Sequence, residues 1–142
     1  MYNFIKQIVE GKTPKTLERI KLPYALDGLG RSLSKRALNY HYGKLYKAYC
    51  DRYNAGEGDL DFNEAGAFLH AKYFSQFTNP KSNNQPTGNC LNFIEEHFQG
   101  FKDFQTKFLK EAMSIQGSGW VYLARDGKIK TIKNHEIKND IV

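Results

Sequence analysis

Two histidines, His41 and His70, stand where their chemistry could be shared. Around the first, Leu38, His41, Leu45, Ala48 and Tyr49 recur three and four residues apart. That spacing predicts one apolar stripe of a helix, with His41 in its middle. Around the second, Gly66, Ala67, His70, Tyr73, Phe74 and Phe77 form a similar stripe. A single histidine on such a face is more often a satisfied core residue than a ligand. Two imidazoles on facing stripes of neighbouring helices are a different case, because nitrogen donors aimed at one space suit a transition metal. Neutral imidazoles alone are a poor site for a redox metal. A di- or trivalent cation among apolar groups needs anionic donors to offset its desolvation. Neither stripe carries an acidic residue, so the pattern describes half of a metal site. Tyr49 and Trp120 sit at spacings that plain packing explains equally well, and His97, in Glu95-Glu96-His97-Phe98, reads as surface.

The elements that must hold these residues follow from the breaks between them. Leu22-Pro23-Tyr24-Ala25-Leu26-Asp27 is extended, because proline restricts the residue before it. Ser34 has the chemistry of an N-cap for a helix running to about Asn54. Gly56 and Gly58 end it, and a second helix is expected over about 63–77. The short connection makes the two antiparallel neighbours. Residues 78–89, rich in Pro, Asn, Ser and Gly, are the one plausible linker. Helices near 90–98 and 101–114 follow, divided by Gly100. Then the period changes to two, with 120–125 and 128–133 alternating around Asp126-Gly127, a hairpin signal.

The expected fold class is α+β: an N-terminal antiparallel helical hairpin followed by an incomplete α/β lobe with a β-hairpin. The expected domains are an N-terminal appendage (1–20), a helical hairpin domain (21–85) and a truncated α/β domain (86–142). The appendage contains a short amphipathic helix around Phe4, Ile5, Ile8 and Val9, able to dock on the body or on a partner. The last residues, Glu136-Ile137-Lys138-Asn139-Asp140-Ile141-Val142, are entering an apolar run, and two strands make a marginal sheet. The chain therefore reads as interrupted.

With 142 residues, 40% hydrophobic and 25% charged, the sequence is globular in composition. It has no apolar run of membrane-spanning length, no secretory cleavage pattern and no transit-peptide composition. Cys50 and Cys90 make neither a metal pair nor a disulfide framework, so a cytoplasmic or other reducing intracellular compartment is expected. The net charge of +6 is scattered among acidic residues, without a nucleic-acid-binding module. Nucleic acid is not the expected partner, and a positive field equally draws a small anion.

Several stretches carry a family resemblance, in order along residues 22–142. Leu22-Pro23-Tyr24-Ala25-Leu26-Asp27 resembles the N-terminal strap of iron/manganese superoxide dismutases. His41-Tyr42-Gly43-Lys44, followed by Tyr49, is similar to the first ligand helix, and Ala65-Gly66-Ala67-Phe68-Leu69-His70 with Tyr73-Phe74 to the second. Pro86-Thr87-Gly88 resembles the interdomain turn, and Gly117-Ser118-Gly119-Trp120 before an apolar strand resembles the family's most recognisable internal motif. The resemblance implies His41 and His70 as ligands of one iron or manganese ion, and Tyr49 as a gateway that helps deliver protons. It implies Trp120, Tyr73 and Phe74 as walls, Lys44 as a rim charge steering superoxide, and His135 as the residue that hydrogen-bonds metal-bound solvent. Gly66 occupies the alternative position for that last task.

Two departures stand out. Leu45-Tyr46 replaces a pair of histidines found in many members, and Leu45 cannot carry a proton. The family's remaining aspartate and histidine ligands lie in an Asp-x-Trp-Glu-His segment that these residues lack. The implied activity is superoxide dismutation by redox cycling of the metal, incomplete in this chain alone. A second chain supplying the missing ligands, or a homo-oligomer, is the expected partner. The alternative is an inactive superoxide-dismutase-like structural subunit of a larger assembly.

Overall fold

A computed structural model describes residues 15–80 and 84–142. The helix expected over residues 4–9 lies outside the described residues. The fold is α+β, in two compact units, Met1–Lys81 and Ser82–Val142.

The first unit is built on a long helical rod. Ser34 caps it, its Oγ accepting from the Ala37 N–H at 3.2 Å. The rod runs as α1 (Lys35–Tyr40), a π-helical turn (His41–Tyr46) and α2 (Lys47–Ala55). The π turn corrects the expected stripe. A wider turn absorbs an extra residue, so the residues facing the core are Leu38, Tyr46, Cys50 and Tyr53, with Tyr42 half-buried. Leu45, expected inside, is 38% exposed.

Gly56, at φ +69°, ends α2 in the left-handed region. Asp59 caps α3 (Leu60–Ser75), accepting from the Phe62 N–H at 3.0 Å, so this helix begins before the expected residue 63. α3 packs on α2, and its buried face carries Ala67, His70 and Phe74. Residues 15–29 lie along the pair as a strap. Leu17 exchanges two 2.8 Å hydrogen bonds with the Asn54 side chain, and the buried Tyr24 hydroxyl donates to the Phe74 carbonyl at 2.9 Å.

The second unit holds α4 (Gly88–His97), α5 (Phe101–Ser114) and an antiparallel hairpin of β1 (Gly119–Leu123) and β2 (Ile129–Lys133). Trp120 lies opposite Ile132 in the ladder. The turn is longer by one residue than Asp126-Gly127 alone suggests. Ala124 N–H donates to Lys128 O at 2.8 Å and Gly127 N–H to Ala124 O at 2.9 Å, enclosing three residues with Gly127 at φ +76°. A Cβ at Gly127 would also land 1.7 Å from His97 Cδ2, so the exposed His97 ring closes on the turn backbone. Lys130 binds Asp140 at 2.8 Å and Asp126 at 3.0 Å, and Tyr122 donates to Asp140 at 3.1 Å, tying the turn to residue 140. No helix among the described residues is long and apolar enough to cross a membrane.

Candidate metal centre

His41 opens the π turn and His70 sits in the middle of α3. Their rings stand 4.9 Å apart between centroids, at 87° to one another. Two imidazoles sharing one cation at about 2.1 Å per bond would stand about 5 Å apart between centroids, so the spacing fits a common ion. His70 is 3% exposed, and its Nδ1 lies 2.7 Å from the Gly66 carbonyl oxygen. A carbonyl only accepts, so Nδ1 carries the proton and Nε2 keeps the lone pair that a metal takes. Burial holds the His41 pKa below its usual value, favouring the neutral imidazole that coordination needs.

The surroundings are aromatic. Tyr73 and Phe74 lie 5.3 and 5.1 Å from the His41 ring. Tyr49 lies 5.2 Å from the His70 ring, and burial raises its phenol pKa against a smaller opposing pull from Arg52. Gly66 has a second function beyond its carbonyl. A Cβ there would stand 2.8 Å from both Cγ and Cδ1 of Tyr49, so the tyrosine ring rests on bare backbone.

Tyr46 was not singled out by the sequence pattern, yet it is 1% exposed and stacks 5.7 Å from the His70 ring at 20°. The four-residue steps Leu38, Tyr42, Tyr46, Cys50 would have revealed it, had a wider turn been allowed for. Lys44 is exposed on the outer side of the rod, with Nζ 5.9 Å from the Tyr40 ring, and does not join the aromatic shell of the histidines.

In the second unit, Trp120 Nε1–H donates to His135 Nδ1 at 3.0 Å. Nδ1 accepts, so the proton of the neutral ring is on Nε2, and burial lowers the His135 pKa, favouring that neutral form. Asn134, just before it, turns the chain at φ +57°, its Oδ1 accepting from the Ser118 hydroxyl at 2.6 Å.

Two imidazoles fit iron or manganese as the neutral part of a donor set. Among the described residues no group of three or more His, Cys, Asp or Glu side chains could hold a metal ion.

The chain is α+β, with a paired-histidine helical unit and a hairpin-bearing second unit, and comparison with known proteins gives its family. Residues 86–142 match the model of iron/manganese superoxide dismutases, C-terminal domain. The chain is 34% identical to the manganese/iron superoxide dismutase of Porphyromonas gingivalis, the match covering 89% of this chain and 76% of that protein. It is 31% identical to the iron superoxide dismutase of Bacteroides fragilis over the same shares. The iron superoxide dismutase of Escherichia coli is 30% identical, with 78% of this chain and 67% of that protein covered. This chain belongs to the iron/manganese superoxide dismutase family, a family of oxidoreductases.

Proposed function

We propose that this chain serves superoxide dismutation, with His41 and His70 as two ligands of an iron or manganese ion. The perpendicular pair at 4.9 Å carries the reading, together with the Gly66 carbonyl that fixes the His70 tautomer. Of two superoxide anions, one is oxidised to dioxygen and the other is reduced, taking two protons, to hydrogen peroxide. The metal, when bound, supplies the one-electron steps.

The chain's own residues do the rest. Tyr73 and Phe74 keep water from the His41 ring. Tyr49 stays a protonated phenol at neutral pH, able to hold a proton and pass it on. Lys44 adds positive charge on the outer surface, where it draws in a small anion. Trp120 and His135 are assigned by resemblance and by their own pairing: Trp120 as a wall, and His135, with its proton on Nε2, as the partner of bound solvent.

Two neutral imidazoles leave a cation's charge uncompensated. We therefore assign the anionic ligand to polypeptide carrying an Asp-x-Trp-Glu-His segment, in a longer chain or a second one. The test is metal content and superoxide consumption of the 142 residues alone and mixed with such a polypeptide. Little metal and little turnover are expected alone, and both should rise in the mixture and be lost in His41→Ala and His70→Ala. Full metal and turnover in the 142 residues alone would overturn the proposed ligand set. A mixture indifferent to both histidine changes would overturn the site.

A further inference from the structure

We infer that Arg19 is a positioning residue for His41, acting through the π turn that carries it. The inference rests on the reading of His41 as a ligand, but its geometry stands apart from any metal. Arg19 Nη1 donates to the Tyr42 carbonyl at 3.2 Å, inside the turn His41–Tyr46. A side chain inserted at a helix carbonyl competes with the usual four-residue pairing and favours an irregular turn. A wider turn is the form seen here.

The same guanidinium lies over the Tyr42 ring, its central carbon 4.6 Å from the centroid. Its neighbour Ile20 completes the grip. The Tyr42 hydroxyl donates to the Ile20 carbonyl at 2.7 Å, and the Ile20 N–H donates to the Tyr46 hydroxyl at 3.3 Å. Tyr42 is next to His41 in the chain, and Tyr46 stacks on His70. Two consecutive strap residues therefore hold the inner neighbours of both histidines. A guanidinium can sit over a ring while one of its several N–H groups reaches a carbonyl. A lysine offers the charge and a donor from one compact ammonium, without that fork.

A merely structural strap would behave differently from a positioning one, and Asn54 separates the two. Asn54→Ala releases the strap at Leu17 without touching the π turn. The experiment uses the metal-free 142-residue chain and reads two signals by NMR: cross-relaxation from the His41 ring to Phe74 and Tyr73, and amide exchange within 41–47. Arg19→Met should speed that exchange about tenfold, as expected when a charge-assisted hydrogen bond is lost. It should also weaken the His41 ring contacts. Arg19→Lys should fall between Met and wild type, and Asn54→Ala should leave both signals in place.

Wild-type signals in Arg19→Met, or equal changes in Asn54→Ala, overturn the inference. Wild-type signals in Arg19→Lys, the mildest change, overturn it as well, so the decision does not depend on the Met variant folding. Cobalt(II) uptake by the wild-type chain mixed with the Asp-x-Trp-Glu-His polypeptide is measured alongside. No uptake there counts against the metal reading alone, while the NMR signals still decide the role of Arg19.

Discussion

Replacing Gly66 by alanine should destabilise the protein, although alanine is the better helix former. Gly66 lies within α3, and Gly→Ala in a helix interior ordinarily gains about 1 kcal/mol. Here the new Cβ would stand 2.8 Å from Cγ and Cδ1 of Tyr49. Cγ lies on the ring's own rotation axis, so spinning the ring cannot relieve that contact. The whole side chain must swing, against Phe62 at 6.1 Å and His70 at 5.2 Å. Overpacking of this kind costs about 1–3 kcal/mol, leaving a net loss of about 1 kcal/mol. Gly43 is the control, since a Cβ there meets nothing within 4 Å. Gly43→Ala should gain about 0.5–1 kcal/mol. Urea unfolding of both variants, with the Tyr49 ring followed by NMR, makes the comparison. Equal stabilisation by the two alanines, with Tyr49 unmoved, would refute the account of Gly66 as the seat of the ring.

Asn134→Ala should lose about 1 kcal/mol in thermal unfolding, because φ +57° suits asparagine better than alanine and the Ser118 hydrogen bond goes with it. Tyr46→Phe should lose about 1 kcal/mol through the Ile20 N–H left without its acceptor, while keeping the stack on His70; a loss as large as that of Tyr46→Leu in the same urea titration would contradict this. Burial lowers the folded pKa of His135, so the unfolded chain takes up its proton first as pH falls. The contribution of His135 to stability should be full above about pH 6.5 and erode below it; an NMR midpoint at or above 6.5 in the folded protein would be the contrary result.

Much of the helical unit was legible because punctuation and period agreed. Ser34 caps, Gly56 stops, and the two histidines fall on inward positions of packed helices. The displacement of Leu45 has one physical source: a 3.6-residue period does not run through a π turn, and no local propensity marks one. The inward place of Tyr46 has the same source. Asp59, by contrast, is a cap for α3 of a type that sequence makes legible. In the second unit the alternation gave the hairpin, but Asp126-Gly127 suggested a two-residue turn where Gly127 closes a three-residue one. Gly66 reads in the sequence as a member of its stripe and, by resemblance, as the alternative position to His135, but its value as the seat of a ring arriving from another helix is not legible there. The Arg19 contacts join residues far apart in sequence, and composition gives no sign of them.

His41 and Tyr49 are eight residues apart, which in a regular helix of 3.6 residues per turn leaves them about 80° out of line. One residue absorbed by a wider turn takes back about 100° of winding, bringing the two within about 20°. The turn thus works as a phase correction, and this allows a single helix to present both a histidine and a tyrosine to His70. The winding between 41 and 46 is then a functional quantity in its own right. Winding all eight residues as regular helix, with none absorbed, would swing Tyr49 about 100° away from the pair, whereas deleting one residue there, Gly43 for example, would regularise the helix and keep the two in line. A lineage that straightened the turn without losing a residue would keep every side chain named here and still lose their alignment.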